Sequence, residues 1–150
     1  MLATALTTGL LTAALPGTTA SAAPSGLSGD FNGDGYRDVA VGAVSAKVGT
    51  VSNAGAVVVL YGSSSGVSAA RTITPNTPGI PGSSEKGDRF GARVTLARGT
   101  GLTVSAPGEN SGDGAGWSLR GATASGATSF GPSATGVPTT GAPNYGSVLP

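Results

Sequence analysis

Apolar residues in this chain fall into short runs of strand length, separated by stretches rich in Gly, Ser, Thr and Pro. Residues 39–44 and 55–62 are nearly continuous apolar segments bounded by glycine or polar residues, a pattern typical of buried β-strands. Residues 89–97 carry apolar side chains at alternate positions, which indicates a strand with one buried face. Two further short strands are predicted at 102–108 and 117–121.

The stretches between these runs show no such pattern. Residues 63–89 are predicted to be a loop, because Pro75, Pro78 and Pro81 are incompatible with a helix interior or a central strand. Residues 122–143 are predicted to be irregular, and strand-like sequence returns only in the last residues. Since Gly and Pro recur too often for long helices, the pattern predicts an all-β fold.

Composition limits both the core and the chemistry. The 150 residues include 27 Gly and 10 Pro but only three Phe, three Tyr and one Trp, so Val and Ala must supply much of the core. Eight Lys and Arg against seven Asp and Glu give a net charge of +1, which offers no electrostatic basis for binding nucleic acid. The absence of cysteine and histidine excludes disulfides and thiol catalysis and removes the commonest general base. We therefore expect no enzymatic activity.

The N-terminal segment has the character of an export signal. Residues 1–22 are mostly small and apolar and end in Ala20-Ser21-Ala22, the A-x-A form of a signal-peptidase site. No Lys or Arg precedes Arg37, so the signal is either atypical or begins upstream. The apolar run is too short and too often interrupted for a membrane anchor, so we expect a secreted, extracellular protein without stable membrane insertion.

The most distinctive stretch is the nine-residue loop 30–38, which directly precedes the first apolar run. Oxygen-bearing side chains stand at its positions 1, 3, 5 and 9, and the glycine at position 6 permits a sharp reversal. Calcium takes six to eight oxygen ligands, including backbone carbonyls and bidentate carboxylates. The spacing therefore predicts one calcium site of extracellular affinity, about 10⁻⁴ to 10⁻³ M, with the side chains of Asp30, Asn32, Asp34 and Asp38 and the carbonyl of Tyr36 as ligands.

Two other interpretations of this loop are available. An EF-hand would require an acidic bidentate ligand at position 12, which here is Val41 in a strand-like run. The EF-hand is therefore disfavoured. A turn of Asp, Asn and Gly residues that binds no metal remains open.

A second series of oxygen ligands, Glu109, Ser111 and Asp113, resembles a metal loop. Its ninth position is Trp117, so a solvated turn is favoured there. Trp117 is interpreted as a core residue in preference to a sugar-stacking platform, because a lone Trp in an apolar segment is more often buried.

Glu85 and Asp88 are spaced so that they could act as a pair of carboxylates in glycoside hydrolysis. They lie among Ser, Gly and Lys86, which favours an exposed charged loop. A serine nucleophile is disfavoured, because no histidine is present to activate it.

The strand-like segments form an internal repeat about 60 residues long. The parallel pairs are 38–44 with 101–107, 56–62 with 116–121, and 89–96 with 144–149. The repeat predicts a division into a signal peptide at 1–22, a first unit at 23–88, a second and degenerate unit at 89–143, and the start of a third unit at 144–150. Because a single small sheet cannot bury both faces, such units must stack, as they do in a propeller.

These repeats resemble FG-GAP repeats, which build the β-propellers of integrin α-subunits and of secreted bacterial proteins. Phe90-Gly91 and Tyr145-Gly146 resemble the FG element, while residues 42–44 and 105–107 resemble the GAP element. Loop 30–38 resembles the family's calcium loop. The resemblance implies antiparallel propeller blades, about two with a partial third, and thus an incomplete propeller and a truncated product or fragment. The second unit lacks a carboxylate at 98–101, so one metal site is expected.

The sequence thus leads to a secreted, calcium-binding module that serves binding, adhesion or structure without catalysis. Its ligand would be an unknown protein or glycan, and open sheet edges would allow self-association. Two alternatives remain, namely the N-terminal fragment of a secreted propeller-containing lyase or lipase, and a truncated product without function.

Overall fold

A computed structural model describes residues 29–96 and 100–149, and its strands form two antiparallel sheets. The first sheet contains β1 (Val39–Ala43), β2 (Ala56–Tyr61) and β3 (Ala69–Ile73), hydrogen-bonded in that order. Each strand pairs with the next one along the chain, so the sheet is a meander. The predicted signal peptide lies outside the described residues.

The second sheet is a four-stranded meander in the order β4-β5-β6-β7. Its strands are β4 (Arg93–Leu96), β5 (Gly101–Ala106), β6 (Ala115–Arg120) and β7 (Thr128–Phe130). Two four-residue helical turns accompany it, namely α1 (Glu109–Gly112) between β5 and β6 and α2 (Pro132–Thr135) after β7. The all-β prediction is confirmed, and both sheets are consistent with propeller blades.

Strand register supports the predicted repeat. In the first sheet Ala43 at the end of β1 lies opposite Ala56 at the start of β2. In the second sheet Ala106 at the end of β5 lies opposite Ala115 at the start of β6. The segments that are parallel in sequence therefore occupy equivalent places in the two sheets.

Two outer strands contradict the sequence interpretation. The prediction that residues 63–89 form a loop is wrong where β3 runs, and the irregular stretch 122–143 contains β7. Four of the five β3 residues are exposed and only Ile73 is buried, so this strand has no apolar run that could mark it. Residues 144–149 form turns instead of the expected strand.

The core joins the two sheets through aromatic side chains. Phe90 is fully buried and packs edge to face against Trp117 of β6, with 5.2 Å between ring centroids and 65° between ring planes. The Trp117 indole is 2% exposed, and its Nε1 donates a hydrogen bond to the carbonyl of Pro81. The prediction that Trp117 is a core residue is confirmed. Around this pair lie the buried aliphatic residues Val57, Val59, Ile73, Leu102, Val104 and Leu119.

A backbone junction fixes Phe90 against the first sheet. The Phe90 amide donates to the Ala54 carbonyl at 2.9 Å, and the Arg89 amide donates to the Asn53 carbonyl at 3.1 Å. Gly55 has a φ of 84°, and a Cβ there would lie 2.2 Å from the Phe90 carbonyl oxygen. Only glycine fits this contact without displacement of the backbone.

The same junction recurs in the second unit. The Tyr145 amide donates to the Asp113 carbonyl at 3.0 Å, and the Asn144 amide donates to the Gly112 carbonyl at 2.8 Å. A Cβ on Gly114, whose φ is 81°, would lie 2.3 Å from the Tyr145 carbonyl oxygen. The two aromatic-glycine elements thus occupy equivalent positions, although neither lies inside a strand.

Candidate metal centre

The predicted calcium loop lies immediately before β1 and is closed by its own backbone. The Asp38 amide donates to the Gly29 carbonyl at 2.5 Å, which joins the two ends of the loop. Gly33 and Gly35 have φ angles of 80° and 91°, in the left-handed region that glycine adopts without strain. The sharp reversal predicted from the glycine at position 6 is therefore present.

Asp30 lies at the centre of the loop and is fully buried. Its Oδ1 accepts hydrogen bonds from the Gly33 amide at 2.7 Å and the Asp34 amide at 3.2 Å. Its Oδ2 accepts a hydrogen bond from the Gly35 amide at 3.0 Å. Three successive amides therefore face one carboxylate, and this arrangement holds the loop around it.

Asp38 anchors the loop to the first sheet. Its Oδ2 accepts from the Phe31 amide at 2.7 Å, while its Oδ1 accepts from the Gly62 amide at 2.9 Å, at the end of β2. Phe31 is buried in the core, and a Cβ on Gly121 would lie 2.6 Å from its carbonyl oxygen. The loop is thus fixed by two buried carboxylates, those of Asp30 and Asp38, and by the buried Phe31 side chain, and it contacts the second unit.

The remaining predicted ligands lie on the solvent side. Asn32 and Asp34 are exposed, and the Asn32 side-chain amide donates to Asp34 Oδ2 at 2.8 Å. Asp34 Oδ1 accepts from the Tyr36 amide at 2.9 Å. These side chains can rotate without disturbing the core, whereas Asp30 and Asp38 are held in place.

The donor set suits a hard cation, although the carboxylates do not converge. Within residues 29–96 and 100–149, no group of three or more Asp or Glu side chains is arranged to hold a metal ion. A carboxylate offers about four acceptor positions. The backbone amides that donate to Asp30, Asp34 and Asp38 use only some of them, so acceptor positions remain for a metal ion. Carboxylate, amide and carbonyl oxygens are the ligands that calcium prefers, so the residues fit calcium chemically. Binding would require Asn32 and Asp34 to turn inward.

The structure corrects the sequence interpretation of a second acidic region, around Glu85 and Asp88. The predicted exposed loop at Glu85 and Asp88 is wrong for Asp88, which is 1% exposed and accepts a hydrogen bond from the Glu85 amide. Burial raises the pKa of Asp88 above its usual value, and the nearby Glu85 carboxylate adds to the rise.

The predicted solvated turn at 109–113 is wrong for Glu109, which is only 8% exposed. Burial raises the pKa of Glu109 to about 7, and the Asp88 and Glu85 carboxylates contribute to the rise. A pair of glycines permits this burial. A Cβ on Gly108 would lie 1.9 Å from the Gly87 carbonyl oxygen, so the two loops touch through their backbones.

Comparison with known protein families gives one match, and it covers loop 30–38. The profile of the FG-GAP repeat family matches residues 22–60, a segment that includes loop 30–38, β1 and most of β2. No curated protein and no solved structure matches the chain. In the described part of the chain, helices are too short and too polar to cross a bilayer.

Proposed function

The chain carries an FG-GAP repeat over residues 22–60, and on that premise we propose that it is an exported, calcium-stabilised binding module of the β-propeller type that catalyses no reaction. The observation that carries this proposal is the closed loop 30–38, which lies within the matched segment and between the core and solvent. The complete absence of histidine and cysteine is in keeping with a non-catalytic role.

Five residues would hold the ion. Asp30 and Asp38 are already fixed by backbone amides, so they define the inner side of the site. Asn32 and Asp34 supply side-chain oxygens from the exposed side, and Tyr36 supplies its backbone carbonyl. Bound calcium would neutralise carboxylates that repel one another in its absence.

The stabilisation has a structural consequence for the first sheet. Asp38 joins the start of β1 to the end of β2 through the Gly62 amide, and Phe31 extends from the same loop into the core. Ordering the loop therefore orders the hairpin of β1 and β2, on which the first unit depends. The ligand of the module would be a protein or a glycan.

Unfolding of the full chain with and without calcium tests this role. If free calcium exceeds Kd tenfold, binding contributes about 1.4 kcal/mol, which raises Tm by about 3 to 6 °C for a chain of this size. Asp34→Ala removes this ligand and should abolish the increase, whereas Glu85→Gln removes an exposed carboxylate outside the loop and should preserve it. Equal Tm values in millimolar calcium and in chelator would refute the calcium role.

A further inference from the structure

A cavity of about 350 Å³ lies outside the calcium loop, beside α1 and β7. The residues that line it include two acidic residues, Glu109 and Asp113, two aromatic residues, Trp117 and Phe130, and Asn110. A volume of this size lies in the range of small-ligand sites, which combine apolar walls with a few polar groups.

The cavity is acidic. Among the described residues that line it, two are Asp or Glu and none is Lys or Arg. Asp88 and Glu85 lie close enough to Glu109 to raise its pKa, so they add negative charge near this residue. An anionic ligand would be repelled, and a cation would be attracted.

One carboxyl oxygen of Glu109 also lacks a hydrogen-bond partner. Its side chain is 8% exposed, and Oε2 is buried without a hydrogen-bond partner. A buried, unpaired carboxyl oxygen is costly, and the cost rises when other carboxylates lie nearby. A positive charge in the cavity would relieve both the missing contact and the repulsion among these acidic groups.

We propose that this cavity binds a primary ammonium group, carried either by a free alkylamine or by a lysine side chain of another protein. An ammonium group donates three hydrogen bonds and accepts none, which complements the two acidic residues of the lining. The alkyl chain next to it would pack against the half-buried Phe130 ring. The inference gives the proposed binding module a ligand class, and it does not depend on calcium binding by loop 30–38.

Titration of the full chain with n-butylamine, followed by amide chemical shifts in NMR, tests the proposal. The experiment is run in chelator and repeated with calcium, so that amine binding in the cavity is measured independently of calcium binding by loop 30–38. We expect saturable shifts around Glu109 and Ser129 with butylamine, and none with the uncharged n-butanol. A blocked lysine peptide and its acetyl-lysine counterpart distinguish a free alkylamine from a lysine side chain as the ligand. Binding of the lysine peptide without binding of butylamine or of the acetyl-lysine peptide would indicate a partner protein. Absence of binding by both butylamine and the lysine peptide would overturn the proposal.

Substitutions and the pH dependence of affinity test whether the amine binds at Glu109. Glu109→Gln should weaken binding about tenfold or more, because it removes a charged hydrogen-bond acceptor. Lys47→Gln also changes the net charge by one unit, at an exposed residue outside the cavity lining, and should leave affinity unchanged. With a Glu109 pKa of about 7, the wild-type affinity should fall about thirtyfold between pH 8 and pH 5.5. An affinity that does not change over this range would contradict the assignment, even if Glu109→Gln fails to fold.

Discussion

Substitution of Gly55 by alanine tests how the two units are joined. Gly55 has a φ of 84°, and an added Cβ would lie 2.2 Å from the Phe90 carbonyl oxygen and 2.4 Å from its amide nitrogen. Both contacts are with backbone, so no side chain can rotate away from them. The change must therefore displace the segment that holds Phe90 against the first sheet.

Three contributions set the size of the effect. The left-handed backbone costs a non-glycine residue about 1 to 2 kcal/mol. Overpacking against Phe90 adds about 1 to 3 kcal/mol, and weakening of the Phe90–Ala54 hydrogen bond adds about 1 kcal/mol. We therefore expect Gly55→Ala to lower the free energy of unfolding by about 3 to 6 kcal/mol, a large part of the stability of a typical domain.

Gly87 provides a matched control. Its φ is 91°, and an added Cβ would meet no atom within 4 Å, so Gly87→Ala incurs only the backbone cost. Urea unfolding can be followed by the fluorescence of Trp117, which is the only Trp in the chain and contacts Phe90. Equal losses of unfolding free energy in the two variants would refute the proposed junction.

Three further predictions concern the buried polar groups. Because the folded pKa of Glu109 is about 7 and its usual value is 4.5, the folded state binds the proton more tightly than the unfolded state does. In urea unfolding, the free energy of unfolding should therefore fall by up to about 3 kcal/mol from pH 4.5 to pH 7 on account of Glu109. Glu109→Gln should remove this part of the pH dependence and leave only the contribution of the raised pKa of Asp88. Asp38→Asn leaves one amide of Phe31 or Gly62 without an acceptor and should cost about 1 to 3 kcal/mol in chelator, whereas the exposed Asp34→Asn should cost far less. Trp117→Phe removes the hydrogen bond to Pro81 and should destabilise by at least about 1 kcal/mol in thermal melts, so an unchanged Tm would contradict that contact.

Inner strands were predictable because they carry apolar runs. β2 and β6 place Val57, Val59, Trp117 and Leu119 in the core, and their sequences show this directly. β3 was missed because its pairing with β2 leaves most of its side chains in solvent. Strand formation there depends on backbone bonds to a neighbour, which a single-segment pattern cannot reveal.

Loop 30–38 was predictable as a turn but not in its detail. The glycine at position 6 indicated a sharp reversal at Gly35, which has a φ of 91° in the structure. The sequence did not indicate that Asp38 would bind the amide of Gly62, which is 24 residues away. Such a contact arises only after β1 and β2 have paired.

The burial of Asp88 and Glu109 was not predictable from residue type. Asp88 and Glu109 lie in polar, glycine-rich stretches that favour exposed turns. They are buried because Gly87 and Gly108 bring two loops from different parts of the chain into backbone contact. The sequence shows both glycines, but it does not show that their backbones come into contact in the folded chain.

An NMR titration of the full chain with calcium tests the central proposal most directly. The account predicts saturable shifts of the Gly33, Gly35 and Asp38 amides that fit one site with a Kd of about 10⁻⁴ to 10⁻³ M, and Asp34→Asn should weaken them strongly. Shifts that are absent at millimolar calcium, or that occur equally across the protein without saturation, would contradict it.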